Sequence, residues 1–148
     1  MKLLNKKAMT LFELLAVIVI LGIVAVIAFP TVNRLIENQR KSSFAEQANL
    51  FVQNAVQLAE DEYEFLEYPE FTYFLNNSDD PEYEADFDIS DEFPKMPADY
   101  EGKITFNVDD EELTITSITF QNDKYELIEP NEYTLTIRFN RSDVDEKE

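Results

Sequence analysis

From Leu14 to Phe29 the chain reads LLAVIVILGIVAVIAF without a polar side chain, and Glu13 is the single ionisable residue between Lys7 and Arg34. Taken as helix, Met9 to Phe29 measures roughly 32 Å at about 1.5 Å per residue, which matches a hydrocarbon core of about 30 Å. The pattern therefore predicts a membrane span. A removable secretory signal has a shorter apolar region closed by a small-residue cleavage site. Here the run ends at Phe29-Pro30 and passes directly into an amphipathic pattern. Val32, Leu35 and Ile36, then Ala45, Ala48, Val52, Ala55 and Ala59, recur at spacings of three and four, with Phe44, Phe51 and Leu58 widening the stripe. Such spacing places them on one helical face. The two patterns together predict one helix from about residue 9 to about residue 66, roughly 87 Å long at about 1.5 Å per residue. That exceeds what any bilayer needs, so the stripe after Phe44 is expected to cover the protein's own sheet.

Beyond the helix the periodicity dissolves. Glu60 to Glu101 holds 16 acids, one base (Lys95) and prolines at 69, 81, 94 and 97, yet also ten of the chain's 19 aromatic residues. Disordered tracts are poor in aromatics, so residues 67–101 are expected to form an irregular but packed loop with its rings turned onto helix and sheet. In the last third the period changes to two. Ile104, Phe106 and Val108 alternate along Lys103 to Val108, and Tyr133, Leu135, Ile137 and Phe139 along Glu132 to Asn140. Between them, Leu113 and Ile115 fall in one phase and Ile118 and Phe120 in the other, predicting a bulge near Ser117. Asp109-Asp110 and Asn122-Asp123 supply turn chemistry, and Tyr125 to Ile128 adds a short strand before Pro130. The expected fold class is α+β: a long N-terminal helix on a small antiparallel sheet of three to four strands. The sheet is expected over 102–141, with 142–148 as a frayed tail.

Composition sharpens this picture. The chain of 148 residues carries 12 basic and 31 acidic side chains, a net charge of −19. Residues 1–59 hold six bases and three acids, so the remainder has 28 acids against six bases, a net of −22. The two parts are expected to meet different surroundings: a membrane element and a solvated head. Lys2, Lys6 and Lys7 before the span hold the N-terminus in the cytoplasm by the positive-inside rule, so the head is outside. An acidic head argues against direct nucleic-acid binding, which demands Lys and Arg for the phosphates. With no His and no Cys, no Ser-His or Cys-His nucleophile, no thiolate or imidazole metal site and no disulfide can form.

A carboxylate inside an apolar span is costly and marks a functional site. Its setting is distinctive. Lys6-Lys7-Ala8-Met9-Thr10-Leu11-Phe12-Glu13-Leu14-Leu15, followed by Gly22 and Pro30, closely resembles the N-terminal signature of type IV pilins and of the pseudopilins of type II secretion and competence systems. The match covers about residues 6–30, and the order of helix then sheet is similar too. The resemblance implies a leader, residues 1–8, with Lys6 and Lys7 as its recognition element. It also implies cleavage between Ala8 and Met9 by a prepilin peptidase and N-methylation of the new α-amino group on Met9. The family usually has Gly where Ala8 stands and Phe where Met9 stands. Glu13 would then form the assembly ion pair with the N-terminus of a neighbouring subunit. Gly22 and Pro30 would mark the segment where the helix loosens on packing, since Pro30 cannot donate to the Val26 carbonyl and Gly22 lowers helical propensity.

The implied organisation is leader 1–8, transmembrane and assembly helix 9–30, amphipathic helix 31–66, acidic loop 67–101, sheet 102–141 and tail 142–148. The implied function is a structural subunit, not an enzyme, that polymerises through its N-terminal helix into a filament for secretion, DNA uptake, adhesion or motility. Its partners would be other pilins, the prepilin peptidase and N-methyltransferase, and the inner-membrane assembly platform with its ATPase. It would lie in the cytoplasmic membrane before assembly, and at the cell surface or in the periplasm afterwards. Two alternatives stay open: a minor, initiating subunit of the same machinery, and a single-span protein with an independent binding or hydrolytic head. No cofactor is expected. Asp86, Asp88 and Ser90 have alternating spacing suggestive of calcium, but an EF-hand needs Gly at its sixth position and a carboxylate at its twelfth, where Asp91 and Pro97 stand.

Overall fold

The computed structural model describes residues 11–62, 68–76, 85–93, 96–110 and 112–147. They fall into two compact units, Met1–Gln39 and Arg40–Glu148. A single helix, α1 (Leu11–Glu62), provides the described part of the first unit and the opening element of the second. In the first unit it is apolar and long enough to cross a membrane.

In the second unit α1 packs on a six-stranded sheet: β1 (Glu70–Leu75), β2 (Asp86–Asp88), β3 (Glu101–Asp109), β4 (Glu112–Gln121), β5 (Tyr125–Leu127) and β6 (Val144–Glu146). The spatial order is β2-β1-β3-β4-β5-β6. β1 and β2 run parallel, and every other neighbouring pair is antiparallel. The α+β class stands, and the sheet is larger than the three to four strands expected.

The helix contributes Phe44, Ala45, Ala48, Phe51, Val52, Ala55, Val56 and Ala59 to the core, so the amphipathic stripe after Phe44 covers the protein's own sheet. Its small residues let the strands approach, and its rings fill the gaps. Phe44 lies 5.3 Å from Phe120 and 5.7 Å from Tyr125, centroid to centroid, and Phe51 lies 5.6 Å from Phe120. Gly102 in β3 makes room for Phe51: a Cβ there would stand 2.9 Å from Cε1 and Cζ of that ring.

The segment 67–101 departs from its expected loop because it holds β1 and β2. β1 shows no alternation, since Phe71 to Leu75 are all buried. Phe71, Tyr73 and Leu75 pair with Phe106, Ile104 and Gly102 and share their face. On the opposite face Thr72 bonds the Thr105 hydroxyl at 3.1 Å. A strand buried on both sides loses the period-two signal that identifies strands in a sequence. The expected packing of the loop's rings holds where the residues are described: Phe93 lies against Phe51 and Tyr100 against Phe44, each 5.8 Å away. Tyr63, Phe65 and Tyr83 lie outside the described residues.

Glu132 to Asn140, expected as a strand, is irregular. Its alternation survives: Tyr133, Leu135 and Ile137 are half-buried, Phe139 is buried, and the residues between are exposed. Its backbone bonds go elsewhere. Ile137 N–H donates to the Thr134 carbonyl at 3.0 Å, and Phe139 bonds to the Asn49 side chain of α1 through both its N–H and its carbonyl, each at 2.8 Å. The tail expected to fray instead supplies β6. Asn140 and Asp143 form a reciprocal capping box around a single 3-10 turn at Arg141–Asp143, Val144 is buried, and its carbonyl accepts a bond from Lys41 Nζ at 3.0 Å.

The expected bulge, turns and short fifth strand are present. The register of β3 and β4 shifts where Thr105 pairs with Ser117 and Phe106 with Ile115. Thr116 is thus the extra residue of a bulge, which is why Leu113, Ile115, Ile118 and Phe120 are all buried despite their change of phase. Asp110 turns with φ of 48°. The Asn122 side chain accepts bonds from the N–H groups of Lys124 and Tyr125 at 2.9 and 2.7 Å, turning the chain into β5.

Candidate functional site

The residues singled out by sequence fall on the first half of α1 or just before it. Lys6, Lys7, Ala8 and Met9 lie outside the described residues. Glu13 stands in the first described turn of α1. Its side chain is exposed. The large apolar side chains from Leu11 to Phe29 are 46–83% exposed. None of the described residues of this chain covers them, so their burial requires lipid or other chains.

Helical geometry runs through both expected loosening points. Gly22 faces open space, and a Cβ there would meet nothing within 4 Å. Pro30 sits inside the helix, where it withholds one backbone N–H. One residue later, the Thr31 hydroxyl reaches the Ile27 carbonyl at 3.5 Å, a long contact of the kind that accompanies bending.

In the second unit, two of the residues that suggested calcium, Asp88 and Ser90, bond to each other. Asp88 Oδ1 accepts bonds from both the N–H (2.9 Å) and the hydroxyl of Ser90. The Ser90 hydroxyl oxygen in turn accepts from the Asn76 N–H at 2.8 Å, at a residue with φ of 50°. Among the described residues no three carboxylates gather to hold a metal ion. At the end of α1, Glu62 Oε2 accepts a bond from the Tyr73 hydroxyl at 3.2 Å. Burial, with the Glu62 charge and this bond adding to it, pushes the Tyr73 phenol above its ordinary pKa. Sequence reasoning missed Asn49, Lys41 and Glu62 as links between α1 and the rest of the unit. Each is a polar residue on a polar helical flank, and nothing in the pattern separates it from a solvated one.

No curated protein and no solved structure matches this chain. Residues 3–29 match the prokaryotic N-terminal methylation motif. That segment contains Lys6, Lys7, Ala8-Met9, Glu13 and most of the exposed apolar helix, and with it the chain carries a type IV pilin-like prepilin signature.

Proposed function

We propose that the protein is a structural subunit of a type IV pilus-like filament, cut between Ala8 and Met9 by a prepilin peptidase, methylated on Met9 and polymerised through the first half of α1. The observation that carries this reading is the methylation motif over 3–29, which includes an apolar helical stretch that the described residues leave exposed. Lys6 and Lys7 position the cut at the cytoplasmic face. Glu13 pairs with the methylated amino group of a neighbouring subunit, where each charge taken alone into a low dielectric costs several kcal/mol. Pairing there sets register more than it adds stability. Gly22 and Pro30 let the helix adjust as subunits pack. The filament serves secretion, DNA uptake, adhesion or motility, with other pilins, the assembly platform and its ATPase as partners.

Intact-mass and N-terminal analysis of the protein from sheared surface filaments and from membranes tests this. A species beginning at methylated Met9 and abundant in the sheared fraction is the expected result. An uncut chain beginning at Met1 in both fractions overturns it.

A further inference from the structure

A groove of about 380 Å³ opens between the segment after β5 and the 3-10 turn before β6. Ile128, Ile137 and Phe139 are its apolar lining and Glu129, Glu132 and Asp143 its acidic lining, with Arg138 as its one cation. Among the described residues of the second unit, only Leu50 and Ile128 are large apolar side chains left exposed. The Tyr133 hydroxyl donates to Glu129 at 3.3 Å and the Asn140 N–H to Asp143 at 2.8 Å, which fixes two of the carboxylates in place. Apolar side chains beside anchored carboxylates suit an occupant that offers an aliphatic side chain next to a cation.

This chain displays that pair on α1. Ile36 and Arg40 are four residues apart and so lie side by side on one helical face. Ile36 is 45% exposed and Arg40 is exposed. After residue 59 the chain is net −22, so two heads repel over most of their surface, and a close contact between copies needs a basic element of one against an acidic element of the other. We infer that the groove at Ile128, Glu129 and Glu132 receives the Ile36–Arg40 face of a second copy of this chain. The inference rests on the filament reading for its setting. Its contact is tested separately from filament formation.

The absence of native cysteine makes the test clean. Two full-length chains are co-expressed in cells, one carrying Ile36→Cys and the other Ile128→Cys, and oxidised disulfide-linked dimer is measured in membranes and in sheared filaments. A bridge forms only where the two Cα atoms come within about 7 Å. Dimer is expected with this pair and not when Thr119→Cys, on an exposed position of β4, replaces Ile128→Cys. Adding Arg40→Glu to the first chain should cut the yield about tenfold by placing like charges together, and adding Glu132→Arg to the second should restore it. No dimer in either fraction, equal dimer with Thr119→Cys, or a yield indifferent to Arg40→Glu overturns the inference. Dimer confined to membranes with no sheared filaments leaves the contact standing and removes the filament reading. Filaments without dimer do the reverse.

Discussion

Asn49 holds Phe139 by both backbone groups: its Oδ1 accepts from the Phe139 N–H and its Nδ2 donates to the Phe139 carbonyl, each at 2.8 Å. The side-chain amide thus replaces the neighbouring strand that this segment's alternation would otherwise seek. Asn49→Ala leaves a donor and an acceptor of a buried residue without partners, and should destabilise the full chain in detergent by about 2 kcal/mol. Urea denaturation followed by circular dichroism measures it, and a loss within error of zero would show that water takes over both bonds.

Gly102 and Phe51 mark a close approach of helix to sheet. Gly102→Ala places a methyl 2.9 Å from two ring carbons of Phe51 and 3.1 Å from Phe120, so a cost of about 1–3 kcal/mol from overpacking is expected. A second change, Phe51→Leu, should recover part of that loss in the double mutant while being destabilising alone. Additive losses would mean that the ring is not what the methyl meets.

The raised pKa of Tyr73 makes stability depend on alkaline pH. Below about 10, the ordinary tyrosine value, the phenol is protonated in folded and unfolded chains alike and contributes no slope. As pH rises above that, the unfolded chain releases the proton while the folded chain retains it, so stability falls. Tyr73→Phe should flatten this alkaline limb of a stability profile, whereas the same slope in mutant and parent would assign it to the other tyrosines.

Glu13→Ala should be synthesised, inserted and cut after Ala8, and yet be missing from sheared filaments. Immunoblots of membrane and sheared fractions read both parts, and filament yields equal to wild type would remove the registry role. The expectation follows from the cost of leaving the neighbour's amino group without a counter-charge in the membrane.

Legibility in the sequence followed the physics of each element. The helix was readable because its apolar pattern is long and its period steady. The bulge at Thr116 was readable because the phase of buried residues changes across it. β1 was not, since Phe71–Leu75 is buried on both faces and carries no alternation. Glu132–Asn140 misled in the opposite way: the alternation reports which side chains are buried, and it is silent about where the backbone bonds go. β6 was hidden because Val144-Asp145-Glu146 is short and acidic, and it is held by long-range partners: the Lys41 bond, the pairing with β5 and the Lys124–Glu146 ion pair at 3.3 Å. In the candidate site, the prepilin signature was fully written in residues 6–30. The groove at Ile128 was not, because it depends on a chain path that no local pattern encodes.

The bond from Lys41 to Val144 joins residues 103 positions apart. It closes the second unit between near its first residue and near its last. Loop-closure entropy of that size is met late in folding. The β3–β4 hairpin is local in sequence and can form early, whereas β6 and the Asn49 clamp need residues 139–146 to return to β5 and the helix. Until then β5 presents an open edge and the helix stripe is only partly covered. The second unit therefore gains its full cover only once residues separated by almost its whole length have met.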